Sequence, residues 1–288
     1  MMLLCRSLLF VPALNARAMS KAGTLPCDGV IVDLEDSVLP ARKAEARAAA
    51  VDALRIPDFR AGLILVRVNA VDTEYFSSDI KTLAEVGPQA VLLPKVQSAK
   101  DVLAAQKILD AEPAARDTQI WIMIETALGV MNLREICTAS KRLKGLILGP
   151  NDLVKDLHAI ETAGQEAVMT SYGLCLVAAR AYGLICIDGV YKQFTDAPGF
   201  ERNCTQGRVM GFDGKSLIHP SQIAPANAAY GPSQAAIDLA KRQIQAFEVA
   251  DAQGKGVASV DGELVEALHV DTARKVLQMA DVIMKGNI

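Results

Sequence analysis

The 288-residue sequence has little histidine, few aromatic residues and no closely spaced cysteines. Its three histidines and six scattered cysteines, with no Cys-x-x-Cys pair, argue against a zinc site or a disulfide framework, and we interpret the cysteines as reduced core residues. A net charge of −3 provides no general basic field, which argues against nucleic acid as the main partner. No apolar run reaches the roughly 18 residues that a membrane-spanning helix needs, so no membrane partner is expected.

The first residues, "MMLLCRSLLFVPALNARA", combine apolar and small residues in a way that could be taken for a signal peptide. However, Arg6 divides the apolar stretch, and no basic region precedes it. We therefore interpret "RSLLFVP" as a first β-strand and expect a cytoplasmic protein.

Eight short apolar runs are distributed along the chain, and segments of helical character separate them. Each run is rich in valine, isoleucine and leucine at consecutive positions, which is typical of strands buried on both faces. Their spacing of roughly 25–40 residues suits one strand, one helix and two loops in each unit. The runs span residues 7–12, 29–35, 63–69, 90–96, 120–126, 145–151, 184–190 and 215–220.

Eight such units in succession predict an α/β fold, a (β/α)8 TIM barrel with a C-terminal helical extension. An open doubly wound sheet is the competing fold, but the eightfold count and the absence of a GxGxxG motif after the first strand disfavour it. We place the barrel at residues 1–232 and the extension at 233–288. Within the extension, residues 234–254 and 262–285 are predicted helices, which either cover the barrel or reach a neighbouring subunit.

Polar residues cluster where the apolar runs end, and in such barrels this end carries the chemistry. Glu125 and Asp152 follow neighbouring strands at equivalent positions, so their carboxylates can converge. With Glu35 and Asp36 nearby, they form an oxygen-rich cation site that suits Mg²⁺ or Mn²⁺. The alternative is that the acids cap helices, since Asp36 and Asp152 both precede helical stretches.

Arg67 lies in the third apolar run and also has two interpretations. It either forms a salt bridge to an acid on a neighbouring strand, or supplies a fixed cation for a carboxylate or a developing enolate oxygen, which we favour. Lys95 either pairs with the acids or acts on a ligand, and both interpretations stay open. For His219 we favour a hydrogen bond within its own loop.

Several motifs together resemble those of the HpcH/HpaI aldolase and citrate lyase β-subunit family. They are "RSLLFVP", "DGVIVDLEDSV", "LVRVN", "AVLLPKV", "IETALGV", "GPNDL" and "FDGKSLIHPSQI", which occur in the family's order over residues 6–222, and more weakly "HVDTARKVLQMA" at 269–280. Two positions depart from the pattern, because Ala13 stands where the family usually has glycine and Pro150 where relatives often have threonine or alanine.

The resemblance implies a magnesium-dependent barrel enzyme acting on hydroxyacids linked to coenzyme A (CoA) or to a carrier protein. It implies that Glu125 and Asp152 ligate the metal, while Glu35 and Asp36 lie around those ligands.

The same resemblance implies that Arg67 holds the substrate and stabilises its enolate. Asp271 matches an aspartate that enters a neighbouring subunit's site in the CoA lyases, and Arg17 and Lys21 lie where relatives bind the CoA phosphates. A homotrimer or hexamer is expected.

The predicted reaction is carbon–carbon cleavage of citramalyl-CoA or malyl-CoA to acetyl-CoA and a 2-oxo acid, either pyruvate or glyoxylate. The alternatives are a citrate lyase β subunit acting on a citryl carrier protein, and a thioesterase acting on a malyl-CoA-type substrate.

Overall fold

A closed barrel of eight parallel strands forms the larger part of the chain, which a computed structural model describes over residues 3–55, 59–162 and 164–286. The strands neighbour one another in sequence order, and the last pairs with the first. This confirms the predicted (β/α)8 TIM barrel, and each strand lies on one of the eight apolar runs. The strands are β1 (Ser7–Pro12), β2 (Gly29–Asp33), β3 (Leu63–Arg67), β4 (Ala90–Leu93), β5 (Gln119–Ile124), β6 (Leu143–Leu148), β7 (Ile185–Asp188) and β8 (Gly214–Leu217).

Helices lie between these strands and also follow the last of them, and local signals in the sequence bound them. One ends at Gly87, whose φ of 62° is a left-handed conformation that glycine adopts without a steric penalty. The helices are α1 (Ala16–Ala22), α2 (Lys43–Leu54), α3 (Phe76–Val86), α4 (Ala99–Asp110), α5 (Ala127–Met131), α6 (Leu133–Cys137), α7 (Pro150–Asp156), α8 (Met169–Ala181), α9 (Ala197–Met210), α10 (Ile223–Tyr230), α11 (Gln234–Ala252) and α12 (Ala267–Gly286).

The barrel interior is filled by large apolar side chains from alternate strand positions. Leu8, Ile31, Leu65 and Trp121 belong to this cluster, and each is fully or almost fully buried. A β-carbon at Gly145 on β6 would overlap the Trp121 ring, so only glycine leaves room for that ring. The interior also holds a buried ion pair, since Lys215 on β8 is fully buried and its Nζ donates to Asp188 Oδ2 at 2.6 Å.

The chain divides into two compact units, the barrel unit of residues 5–227 and a second unit of residues 3–4 and 228–286. Its helix α11 confirms the helix predicted for 234–254, but the prediction of a helix from residue 262 is wrong at its start. An antiparallel hairpin of β9 (Ala258–Val260) and β10 (Glu263–Val265) comes first, and α12 begins only at Ala267. Asp261 and Gly262 form the turn with φ values of 53° and 84°, as two-residue hairpin turns require.

All six cysteines are buried and free, in agreement with their interpretation as small core residues. None of the helices in the described residues is both long enough and apolar enough to cross a lipid bilayer.

Candidate active site

A cavity of about 370 Å³ opens at the C-terminal end of the barrel strands. Five charged side chains and the polar Ser37 and Asn151 line it. Most of the remaining wall is apolar and includes Phe10, Met123, Leu148, Val190 and Ile218. The charged residues are Asp33, Asp36, Arg67, Glu125 and Asp152.

Arg67 ends β3 directly beside Asp33, which ends β2, because the two residues are paired in the register of the barrel. The guanidinium Nε donates to Asp33 Oδ1 at 2.7 Å and Nη2 donates to Oδ2 at 2.8 Å. The Asp33 carboxylate also accepts the backbone N–H groups of Glu35 and Ser37, at 2.9 and 3.1 Å. The structure thus shows the salt bridge to the neighbouring strand's acid, and Arg67 also lines the cavity, where its role toward a ligand stays a prediction.

The third guanidinium nitrogen of Arg67 points to further acids. Nη1 lies 3.1 Å from Glu35 Oε2 and 3.3 Å from Asp36 Oδ2, and the guanidinium carbon lies 4.9 Å from the centre of the Phe10 ring. Burial opposes the charge, but hydrogen bonding and attraction from Asp33 outweigh it and raise the pKa of Arg67 above its usual range. The side chain is therefore a permanent, oriented cation at the cavity wall.

Lys95 follows β4 and connects two of the acids. Its Nζ donates to Glu35 Oε1 at 2.7 Å, and its backbone N–H donates to Glu125 Oε1 at 2.8 Å. Burial alone would lower the pKa of Lys95, but the bond to Glu35 and the charges of Glu35 and Asp36 raise it above the usual lysine range. Sequence reasoning left Lys95 open, because these contacts depend on a left-handed backbone, with φ of 52°, that sequence alone does not reveal.

Glu125 directly follows β5 and is only 2% exposed. Its second oxygen, Oε2, occupies the place that a β-carbon at Gly149 would take, so Gly149 makes room for this carboxylate. Burial, followed by repulsion from Glu35, raises the pKa of Glu125 to about 8, and Asp152 adds to the rise.

Asp152 is the third residue of α7, which begins at Pro150 immediately after β6 and Gly149. This short connection brings Asp152 to the cavity wall with Glu125, as the predicted convergence requires. Asp36 also lines the cavity, whereas Glu35 is buried between the cationic groups of Arg67 and Lys95.

These acids suit a hard divalent cation that retains part of its water shell. Among the described residues, no group of three or more His, Cys, Asp or Glu side chains could hold a metal ion. Mg²⁺ is commonly bound through only one or two carboxylates, which Glu125 and Asp152 can supply. Burial and the neighbouring carboxylates disfavour the charged form of Glu125, and a bound cation would favour it.

Comparison with known proteins identifies the family of this chain. The profile of the HpcH/HpaI aldolase/citrate lyase family matches residues 6–220. The chain belongs to this family. Within the family, it is 45% identical over 278 residues to a (3S)-malyl-CoA thioesterase of Cereibacter sphaeroides, covering 96% of this chain and 95% of the relative. It is 37% identical over 282 residues to citrate lyase subunit beta of Escherichia coli, covering 96% and 93%.

The fold agrees with solved structures of the same enzyme family. CitE of Mycobacterium tuberculosis, in a crystal structure with magnesium, acetoacetate and coenzyme A, superposes with a TM-score of 0.78 at 28% identity and covers 96% of this chain and 97% of that one. A citrate lyase β subunit of M. tuberculosis complexed with oxaloacetate and magnesium gives a TM-score of 0.68 at 31% identity, covering 79% and 97%. This chain is therefore a CitE-like enzyme of the HpcH/HpaI aldolase/citrate lyase family.

Four other residues of interest take no part in the charged contacts described above. Arg17 and Lys21 are exposed on α1, and neither is among the described residues that line the cavity. Asp271 lies on α12 in the second unit, with a 71% exposed side chain whose Oδ1 is 3.7 Å from Arg274 Nη1. The ring of His219 stacks on Phe194, and its Nδ1 lies 2.7 Å from the Ser221 hydroxyl, which agrees with the loop role favoured for it.

Proposed function

We propose that this enzyme is a Mg²⁺-dependent carbon–carbon lyase acting on a 3-hydroxy-3-carboxyacyl-CoA, either citramalyl-CoA or malyl-CoA. The products would be acetyl-CoA and pyruvate or glyoxylate. The observation that carries the proposal is one cavity in which Arg67, held by Asp33, lies with the carboxylates of Glu125 and Asp152. The CitE relative crystallised with magnesium and coenzyme A supports the same cofactor and substrate class.

Glu125 and Asp152 would hold Mg²⁺, or Mn²⁺ in its place, and Glu35 and Asp36 would support the surrounding charge balance. When bound, the ion would act as a Lewis acid toward the substrate hydroxyl and the adjacent carboxylate. Arg17 and Lys21, both exposed on α1, would bind the CoA phosphates.

The protein's own groups would manage the charge that develops during cleavage. The substrate hydroxyl loses its proton and its oxygen forms the new carbonyl, while the C2–C3 bond breaks and its electron pair moves into the thioester as an enolate. Arg67 would donate hydrogen bonds to the enolate oxygen, the atom on which this charge accumulates. Asp271, directly or through a water molecule, would accept the hydroxyl proton and return a proton to the enolate carbon, which becomes the methyl group of acetyl-CoA.

Two further candidates follow from particular relatives. The thioesterase relative, at 45% identity, favours hydrolysis of the malyl-CoA thioester, in which the same cavity would position water instead of supporting carbon–carbon cleavage. The citrate lyase relative, at 37% identity, favours cleavage of a citryl carrier protein within a complex.

One assay separates these functions. Purified enzyme is incubated with Mg²⁺ and either (S)-citramalyl-CoA or malyl-CoA, and the 2-oxo acid and the free thiol are followed separately, with a chelator-treated sample as control. Oxo acid without free thiol supports the lyase, free thiol without oxo acid overturns it in favour of the thioesterase, and neither product directs the search to a carrier protein.

The choice between pyruvate and glyoxylate depends on one methyl group, which is worth only about 1–3 kcal/mol in an apolar pocket. The faster substrate in the assay therefore identifies the natural one. A homotrimer or hexamer and a cytoplasmic location stay predictions.

A further inference from the structure

Lys95 combines an unusual backbone with two contacts to the charged groups of the cavity. Its φ of 52° places a non-glycine residue in the left-handed region, which L-residues avoid because the β-carbon approaches the following carbonyl oxygen. Such a conformation persists where the surrounding structure requires it, often at functional sites. Two contacts made from this position, to Glu125 and to Glu35, indicate the role of the conformation.

The backbone N–H of Lys95 contacts the Glu125 carboxylate. In the left-handed conformation its N–H donates to Glu125 Oε1 at 2.8 Å, which fixes one carboxylate oxygen. The other oxygen lies against Gly149, where the absence of a side chain leaves space for it. Glu125 is thus held from two sides while it remains part of the cavity wall.

The side chain of Lys95 contacts Glu35, which in turn contacts Arg67. Lys95 Nζ donates to Glu35 Oε1 at 2.7 Å, and Glu35 Oε2 lies 3.1 Å from Arg67 Nη1. Arg67 is held by Asp33 on its other side, so Lys95, Glu35, Arg67 and Asp33 form a row of alternating charges. Loss of the ammonium group would leave the buried Glu35 dependent on Arg67 alone, and the guanidinium would be drawn toward it.

We propose that Lys95 is a positioning residue with two separable parts. Its left-handed backbone N–H orients Glu125 for the divalent cation, and its ammonium group orients Arg67 through Glu35. The second part rests on the function proposed above, whereas the first depends only on cation binding.

Three variants separate the two parts. Lys95→Gly removes the ammonium group but accepts the left-handed backbone. Lys95→Val also removes the ammonium group, and its branched β-carbon strongly disfavours that backbone. Lys95→Arg keeps a cation on a backbone with the same preferences as lysine. Lys95→Ala, which disfavours the conformation less than valine does, replaces Lys95→Val if circular dichroism shows that the valine variant does not fold.

The first measurement is Mn²⁺ binding to metal-free protein, followed by the electron paramagnetic resonance signal of free Mn²⁺. We expect Lys95→Gly to bind with a Kd within about threefold of wild type, and Lys95→Val to bind about 10- to 100-fold more weakly, as when a group supporting a metal ligand is lost. Equal weakening in both variants, or wild-type affinity in the valine variant (in the alanine variant, if that replaces it), would overturn the backbone role.

The second measurement is steady-state turnover of the CoA thioester. We expect Lys95→Gly to lower kcat about 100-fold with a smaller change in KM, and Lys95→Arg to recover most of kcat, because misplacing a reacting group costs about this much. An unchanged kcat in Lys95→Gly, or no recovery in Lys95→Arg, would overturn the side-chain role. If wild type turns over neither thioester, the proposed function fails, while the Mn²⁺ comparison still decides the backbone role.

Discussion

Strand β2 has an aspartate at each end, and each aspartate holds an arginine in a two-pronged ion pair. At the N-terminal end, Asp28 precedes the strand and accepts Arg6 Nε and Nη2 at 2.8 and 2.7 Å. At the C-terminal end, Asp33 accepts the same two nitrogens of Arg67 at 2.7 and 2.8 Å. All four residues are at most 7% exposed, so the two pairs are chemically and sterically alike.

The two pairs differ in what lies beyond them. Asp28 also accepts the backbone N–H of Arg6 at 2.7 Å. Three hydrogen bonds therefore join these two residues, which precede β1 and β2. Arg67 instead extends Nη1 toward Glu35 and Asp36 and lines the cavity. TIM barrels carry stability at the N-terminal end of their strands and chemistry at the C-terminal end. We therefore expect the same ion-pair geometry to serve stability at Arg6 and the proposed reaction at Arg67.

The largest effect is expected when a carboxylate is removed at the C-terminal end of the strands. Asp152→Ala is expected to abolish Mg²⁺-dependent turnover and to weaken Mg²⁺ binding severely, because only Glu125 would remain as a direct donor. Calorimetric titration with Mg²⁺ and the product assay measure both effects.

Asp156→Ala on the same helix is the matched control for this loss. Asp156 accepts the backbone N–H of Ala127 and is exposed, so its removal should leave Mg²⁺ binding intact. A fully active Asp152→Ala variant would refute the metal assignment.

The same substitution at both ends of β2 compares the pairs directly, and the larger effect is expected at Arg67. Arg67→Lys keeps the charge but loses the two-pronged geometry, so kcat should fall about 10²- to 10³-fold, roughly 3–4 kcal/mol in the transition state. Steady-state kinetics with each thioester measure this change. A kcat within threefold of wild type would mean that the guanidinium does not contact the reacting atoms.

Asp271 tests whether a group outside the barrel unit takes part. Asp271→Ala should slow turnover about 100-fold, the lower range for loss of a proton-transfer group, while Mg²⁺ affinity stays unchanged. Arg274, whose exposed side chain lies near Asp271, provides the control. Arg274→Ala removes this cation and should change the rate much less, because an exposed ion pair contributes little. An unchanged rate in Asp271→Ala would remove this residue from the mechanism.

Arg6→Lys completes the comparison and has the smallest expected effect. The substitution removes the two parallel hydrogen bonds from the guanidinium to Asp28. The free energy of unfolding should fall by about 1–3 kcal/mol, because a buried carboxylate loses part of its hydrogen bonding. Urea denaturation followed by circular dichroism measures this loss. Turnover per folded molecule should match wild type, and a selective fall in kcat would contradict the division of roles between the two ends.

The barrel could be predicted from sequence because its buried parallel strands have continuous apolar runs that end in polar residues. The positions of Glu125 and Asp152 followed from this regularity, since the C-terminal ends of parallel strands meet on one side of the barrel. The pairing of Arg67 with a neighbouring acid was one of two interpretations, and the choice of Asp33 depended on the strand register.

Two features depend on backbone conformations that hydrophobic periodicity does not specify. The left-handed Lys95 gives no signal of its own, because lysine rarely adopts that region. The hairpin before α12 did have a signal, since an Asp-Gly pair at 261–262 between short apolar segments is typical of a two-residue turn. The helical periodicity of the residues that follow gives a predicted start at residue 262. The helix itself begins five residues later, at Ala267.

Trp121, the single tryptophan of the chain, is packed in the barrel interior against Gly145. The protein therefore contains an intrinsic fluorophore whose emission reports on one of its two units. A red shift on denaturation would record water entering the barrel, and a second transition seen only by circular dichroism would belong to the C-terminal helices. Comparing the two signals in one titration would show whether the two units unfold together or in sequence.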